Sequence, residues 1–154
     1  MPKLIITVGV SASGKTTWAE AQKYEYSGNN NLNINRDNIR FKIVQPGADW
    51  STYEFNKKNE KRVTEIELMI AEKGLKFESN IIISNTNLNP KIREFWKKFA
   101  EKRGYEFEVK EFPISLEEAI ERDSKRENSV GEDVIRKQYK QWLEYLESKN
   151  TEAN

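Results

Sequence analysis

GVSASGKT, residues 9–16, decides the fold. It satisfies the phosphate-loop pattern G-x-x-x-x-G-K-[ST], in which backbone N–H groups curl round phosphate oxygens at the start of a helix. The pattern carries weight only between a buried strand and a helix, and both flanks fit. Residues 3–8, KLIITV, form a β-branched and leucine-rich run of the kind buried on both faces of a parallel sheet. From residue 14 to about 23 the pattern is helical. In that setting Lys15 reaches the β- and γ-phosphates of ATP or another nucleoside triphosphate, Thr16 ligates Mg2+ through its hydroxyl, and Thr17 reaches the α-phosphate. Gly9, Ser11, Ala12, Ser13 and Gly14 form the cradle around them. The plainer reading, a strand-to-helix turn with an incidental lysine, needs every constrained position and both flanks to coincide by chance.

Working outward, strands and helices alternate. Residues 27–31, rich in Asn and Gly, read as a loop, residues 32–35 as a second strand and residues 36–43 as a short helix. A loop containing Pro46 and Gly47 follows. Ser51 and Glu54 make a capping box for a helix running towards Lys73, with Val63, Ile66 and Ile70 on one face and Gly74 ending it. Residues 80–84 are a third strand. Asn89 and Pro90 open a helix striped by Ile92, Phe95, Trp96, Phe99 and Ala100, ending before Gly104. Residues 105–112 form a fourth strand, Ser115 and Glu118 cap a further helix, and Ile135, Tyr139, Trp142 and Leu146 mark the last one. Residues 149–154 are polar and expected to fray. This order predicts an α/β fold of the phosphate-loop type, with a central parallel sheet of about four strands flanked by helices and a helical, arginine-bearing lid.

Composition bounds the partners. A length of 154 residues fits one domain over residues 1–154, with one active site. The 26 Lys and Arg against 25 Asp and Glu leave a net charge of +1, so any nucleic-acid contact must come from a local patch. No His and no Cys are present, which removes imidazole catalysis, thiolate nucleophiles, disulfides and the usual zinc ligands. A general base must then be a carboxylate or something less common. No long apolar run or export signal is visible, so a cytoplasmic location without membrane contact is expected.

Two further stretches carry chemistry. In NINRDNIR, residues 33–40, Asp37 and Arg40 lie three apart on the short helix. Both can face the cleft beside the phosphate loop, Asp37 taking a proton from an attacking hydroxyl and Arg40 gripping a phosphate of the acceptor. The competing reading makes Asp37 a helix cap paired locally with Arg40. In ERDSKRENS, residues 121–129, Arg122 and Arg126 share a helical face. A lid that brings an arginine onto the transferring phosphoryl is one reading, and an ordinary solvated charged face is the other.

The phosphate loop with Lys15, Thr16, Thr17 and Trp18, then NINRD with Arg40, SNTNLNP over residues 84–90, and RDSKR over residues 122–126, together resemble the 5′-kinase domains of the phage T4-type polynucleotide kinase family. Order and spacing agree along nearly the whole chain, and the last two motifs are far more specific than the phosphate loop. The resemblance implies an ATP- and magnesium-dependent polynucleotide 5′-hydroxyl kinase acting on DNA or RNA ends. It implies Asp37 as the general base and Arg40 on the phosphate 3′ of the terminal nucleoside. Arg126 would be the lid arginine on the donor phosphates, with Arg122 on the same helical face, and Asn85, Thr86 and Asn87 are candidates for lining the acceptor site, the plainer reading being that Thr86 and Asn87 merely cap the helix beginning at Pro90. A phage-encoded chain would work in a host's cytoplasm.

Two departures from that family stand out. An aspartate usually precedes Thr-Asn-Leu-Asn-Pro, and here the position is Asn85, which keeps size and hydrogen bonding but loses the charge. The family also has a 3′-phosphatase domain after the kinase, whereas this sequence shows no equivalent aspartate pair. No 3′-end activity is therefore expected, and a separate phosphatase and ligase would complete a repair. A homo-oligomer is compatible with the sequence. Two rival readings share the phosphate loop: a kinase of a nucleoside or other small metabolite, and a catalytically weakened nucleotide-binding module. Trp50 and Tyr53, aromatic and near the presumed cleft, are candidates for stacking on bases, with a core role as the alternative.

Overall fold

The first strand sets the architecture because KLIITV has no polar face to give to solvent. In the computed structural model, which describes residues 2–25 and 31–153, Leu4, Ile6 and Val8 are fully buried and the strand is flanked on both sides. β1 (Lys3–Val8), β2 (Asn31–Ile34), β3 (Asn80–Ile83) and β4 (Glu106–Glu111) form one sheet in the order β2-β3-β1-β4. All three pairings are parallel, with Leu4 opposite Ile81 and Phe107, and Leu32 opposite Ile81 from the other side. The expected loop over residues 27–30 lies outside the described residues, while Asn31 already belongs to β2.

The order matters for the site. β3 separates β1 from β2, so the loops after β1 and β3 start side by side and the one after β2 reaches them across the tip of β3. Ligands of open α/β sheets collect at the carboxyl ends of such strands. The helices are α1 (Lys15–Glu25), α2 (Arg36–Ile39), α3 (Lys57–Lys76), α4 (Pro90–Lys102), α5 (Leu116–Ser124) and α6 (Glu132–Ala153). Trp96, Phe99 and Ala100 of α4 and Ile135 and Trp142 of α6 join the β-strand core. Ile92 and Phe95, counted in the same stripe, are 44% exposed. Among the described residues no helix is long and apolar enough to cross a membrane.

Four elements differ from the sequence reading. The short helix is four residues of α-helix followed by a π-helical turn over Arg40–Val44. Ser51 and Glu54 make no capping box. The Asp49 carboxylate takes the backbone N–H and hydroxyl of both Ser51 and Thr52, a local turn that competes with helix formation. The helix begins later, at Lys57, where the Asn56 side chain accepts the Asn59 N–H at 2.8 Å. Gly74 lies inside α3, not after it. A Cβ there would stand 2.9 Å from Leu32 Cδ2 and 3.2 Å from Ile81 Cδ1, so the glycine lets the helix lie close on β2 and β3. The C-terminal residues continue α6 to Ala153, and Lys149 pairs with Glu111 of β4 at 2.6 Å.

Candidate active site

Two backbone conformations shape the phosphate loop: Ala12 has φ +67° and Gly14 φ +102°. The left-handed turn at Ala12 is uncommon for a residue with a Cβ and turns successive N–H groups towards one concavity. Gly9 is confined by packing, since a Cβ there would lie 2.9 Å from Ser13 Oγ and 3.0 Å from Phe112 O. The Gly9 N–H donates to Thr86 O at 3.2 Å, tying the loop to the segment after β3. That segment is braced in turn. Asn87, buried with φ +46°, donates through Nδ2 to Thr7 O at 2.8 Å and Ile83 O at 3.0 Å, and Thr7 Oγ1 donates to Asn85 O at 2.7 Å. NTNLNP is therefore a clamp across the ends of β1 and β3, finished by Asn89 capping α4.

A cavity of about 940 Å³ opens over these strand ends, within the usual range for ligand sites. It brings together Ser11, Ala12, Lys15, Thr16, Asp37, Arg40, Asn85, Thr86, Asn87 and Arg126. Gly9, Ser13 and Gly14 shape the loop behind that surface. Thr17 is exposed on the first turn of α1 and outside the lining. Arg122 is also outside it: its guanidinium pairs with Glu118 at 2.7 Å on the exposed side of α5, the solvated arrangement.

Lys15 is buried, with its ammonium donating to Val10 O and, at 3.3 Å, to Ser13 Oγ. Burial, with the Arg126 charge adding to it and Asp37 opposing it, lowers its pKa to about 7. The loop lysine thus senses both the Arg126 guanidinium and the Asp37 carboxylate.

Asp37 does not cap α2. Asn35 does, accepting the Asn38 N–H at 3.0 Å, which leaves the Asp37 side chain half-exposed on the cavity wall. Its Oδ1 accepts from Arg40 Nη1 at 2.8 Å. The rest of the Arg40 guanidinium makes a two-pronged contact with Glu60, Nε to Oε2 at 3.0 Å and Nη2 to Oε1 at 2.6 Å. Burial opposes the Arg40 charge, and the carboxylates of Glu60 and Asp37 outweigh it and raise its pKa. The guanidinium lies 5.3 Å from the Trp50 ring centre. Tyr53 corrects the stacking expectation: it is buried, with its hydroxyl on Glu60 at 2.9 Å. Trp50 is half-buried and lines the cavity.

Arg126 sits in the connection between α5 and α6, 3.7 Å from Asp123. Asp123 is buried and organises that connection, accepting from Ser129 Oγ at 2.6 Å, Val130 N at 3.1 Å and Gly131 N at 2.9 Å. Burial alone would raise its carboxyl pKa, and those hydrogen bonds, with Arg126 nearby, hold it below the ordinary range. Asn128 of the same connection accepts the Trp50 backbone N–H at 2.8 Å, so the α5–α6 connection meets the loop before α3.

The sequence reading missed four participants. Glu60 and Glu67 of α3 hold Arg40 and Arg36, Asp123 holds the α5–α6 connection, and Gln138 of α6 accepts the Ser11 N–H at 2.8 Å on the phosphate loop itself. The seven-residue spacing of the two glutamates was visible, but not that their face of α3 covers the cavity.

A strand, a phosphate loop and a helix feeding a four-stranded parallel sheet, with Arg126 lining the loop lysine's cavity, define a phosphate-loop nucleotide-binding domain of the P-loop kinase fold. Residues 4–148 match the AAA domain family, and the chain belongs to it. A putative bifunctional polynucleotide kinase/RNA ligase of Autographa californica nuclear polyhedrosis virus is 32% identical over 150 residues, 92% of this chain and 21% of that protein. The chain thus spans about a fifth of that relative's length. A chain of the Pnkp1/Rnl/Hen1 RNA repair complex superposes with a TM-score of 0.73 at 27% identity, covering 96% of this chain and 46% of that one. A gluconokinase from Sinorhizobium meliloti 1021, at 16% identity and TM-score 0.59, covering 91% of this chain and 74% of that one, shows the shared fold alone.

Proposed function

We propose that this domain is a polynucleotide 5′-hydroxyl kinase, moving the γ-phosphoryl of ATP in line onto the 5′-oxygen of a nucleic-acid end. One observation carries the reading: a single cavity holds the phosphate-loop lysine, a solvent-accessible carboxylate paired with an arginine, and a lid arginine. A phosphoryl transfer to an alcohol needs those groups. Asp37 accepts the proton of the attacking hydroxyl while Arg40, held in the same wall, takes the phosphate on the 3′ side of the terminal nucleoside. Lys15 and Arg126, both on the wall of this cavity, stabilise the charge that builds on the transferring group.

Among the described residues no three acidic or other metal-binding side chains cluster, so a metal here would be held chiefly by the triphosphate. The Thr16 hydroxyl, on the cavity wall at the head of α1, fits as the protein ligand of Mg2+, which would neutralise β- and γ-phosphate charge. The relatives' names, a polynucleotide kinase/RNA ligase and an RNA repair complex, favour RNA ends as the substrate with a ligase as companion.

The test is transfer of label from ATP to 5′-hydroxyl RNA, DNA and 3′-mononucleotide acceptors, with bare nucleosides and sugars in parallel. Labelled oligonucleotide ends are expected. Transfer to small metabolites in preference to all of these would assign the cavity to the rival kinase class.

A further inference from the structure

Two carboxylates line the cavity among the described residues, Asp37 and Glu67, and the mechanism above uses only the first. Glu67 stands on the buried face of α3, 5% exposed, in a stripe with Val63, Ala71 and Gly74 where an apolar side chain would be ordinary. A carboxylate there is costly unless every oxygen is satisfied. Its partners close a ring. Oε2 accepts from Asn85 Nδ2 at 2.9 Å, Oε1 accepts from Arg36 Nη1 at 3.0 Å, and Asn85 Oδ1 accepts the Arg36 backbone N–H at 2.8 Å. Arg36 is the first residue of α2 and Asp37 the second, so the ring grips the chain where the acceptor-side residues leave it.

The ring also dictates what can stand at position 85. An ionised Glu67 only accepts and a main-chain N–H only donates, so the group between them must donate to one and accept from the other. Asparagine does both. An ionised aspartate would accept from Arg36 but set two carboxylates face to face across the 2.9 Å now spanned by the amide. Asn85 is therefore the complement of Glu67.

We propose that Glu67 is a positioning residue of this site, supplying a buried negative charge from α3 and holding Asp37 and Arg40 in place through Asn85 and Arg36. The proposal rests on the kinase reading of the cavity.

The test exchanges the charge between the two positions in Asn85→Asp, Glu67→Gln and the double variant. Asn85→Asp opposes two carboxylates, and Glu67→Gln leaves an amide donor facing either Arg36 or the Asn85 amide. With both changes the glutamine amide donates to the new carboxylate and its oxygen still accepts from Arg36, so every hydrogen bond returns. Each single variant is expected to lose on the order of tenfold in kcat/KM for a 5′-hydroxyl oligonucleotide, and the double variant to return to about threefold of wild type. ATP affinity should stay within about threefold throughout, a split that a general loss of structure would not produce. Single variants that behave like wild type, or a double variant that is unfolded or no better than the worse single, overturn the proposal. A wild-type protein that labels no oligonucleotide sinks the kinase reading instead. The ring is then judged by thermal unfolding midpoints: a double variant more stable than the two singles predict by addition supports it, and simple additivity overturns it.

Discussion

Lys15 should make nucleotide binding depend steeply on pH above neutrality. Its ammonium is buried against Val10 O and Ser13 Oγ, and burial with the Arg126 charge lowers its pKa to about 7 in the nucleotide-free protein. A triphosphate in the loop surrounds the same nitrogen with negative charge and restores the ordinary lysine range near 10.5. Only the protonated form makes the full contact, so binding above pH 7 must take up a proton. The apparent Kd for ATP is then expected to rise by roughly tenfold per pH unit, or about fifty-fold between pH 7 and pH 9. Uptake at pH 8 should approach about 0.9 proton per ATP bound. Calorimetric titrations in buffers of different ionisation enthalpy read both quantities. Lys15→Met should flatten the profile, and Arg126→Ala should move its inflection to higher pH by removing a charge that lowers the lysine's pKa. The same shift affects stability. The unfolded chain holds this proton more tightly than the native one, so the nucleotide-free protein should gain stability as pH rises from about 7 towards 10.5. A Kd that is flat between pH 7 and 9, with no proton uptake at pH 8, would refute the reasoning.

Asp37→Asn should lower kcat by about two orders of magnitude or more with ATP affinity unchanged, and retained turnover would reduce Asp37 to a partner of Arg40. Arg40→Ala should raise KM about ten- to a hundredfold for 3′-phosphorylated acceptors and leave a bare nucleoside little affected. Equal loss on both acceptors would show that Glu60 holds Arg40 for structure alone. Asp123→Ala strips three hydrogen bonds from the lid connection, and should cost about 1–3 kcal/mol in urea unfolding while lowering kcat through Arg126. Unchanged kcat in a destabilised variant would separate the connection's stability from the arginine's placement.

GVSASGKT, the apolar run before it and the alternation of strand and helix patterns determine the fold class and the phosphate cradle without reference to tertiary structure. They work through contacts within a few residues: a buried strand, a tight turn and the first N–H groups of a helix. NTNLNP is legible in the same way as the cap of α4, but its clamp on Thr7 and Gly9 depends on β1 and β3 becoming neighbours. Position 51 shows the limit of local rules, since Asp49 takes the Ser51 N–H and Gln45 takes the Glu54 N–H that a capping box would use. Gly74 shows another: only the approach of Leu32 and Ile81 explains a glycine inside α3. Glu60, Glu67, Asp123 and Gln138 were invisible as site residues because in sequence they are ordinary glutamates, an aspartate and a glutamine on charged helices. Their meaning comes from burial and from partners that the fold brings to them, from the next loop for Asp123 to the far end of the chain for Gln138. Folding alone determines which acidic side chains lose water and which cations compensate them, and with that which residues hold the site in shape.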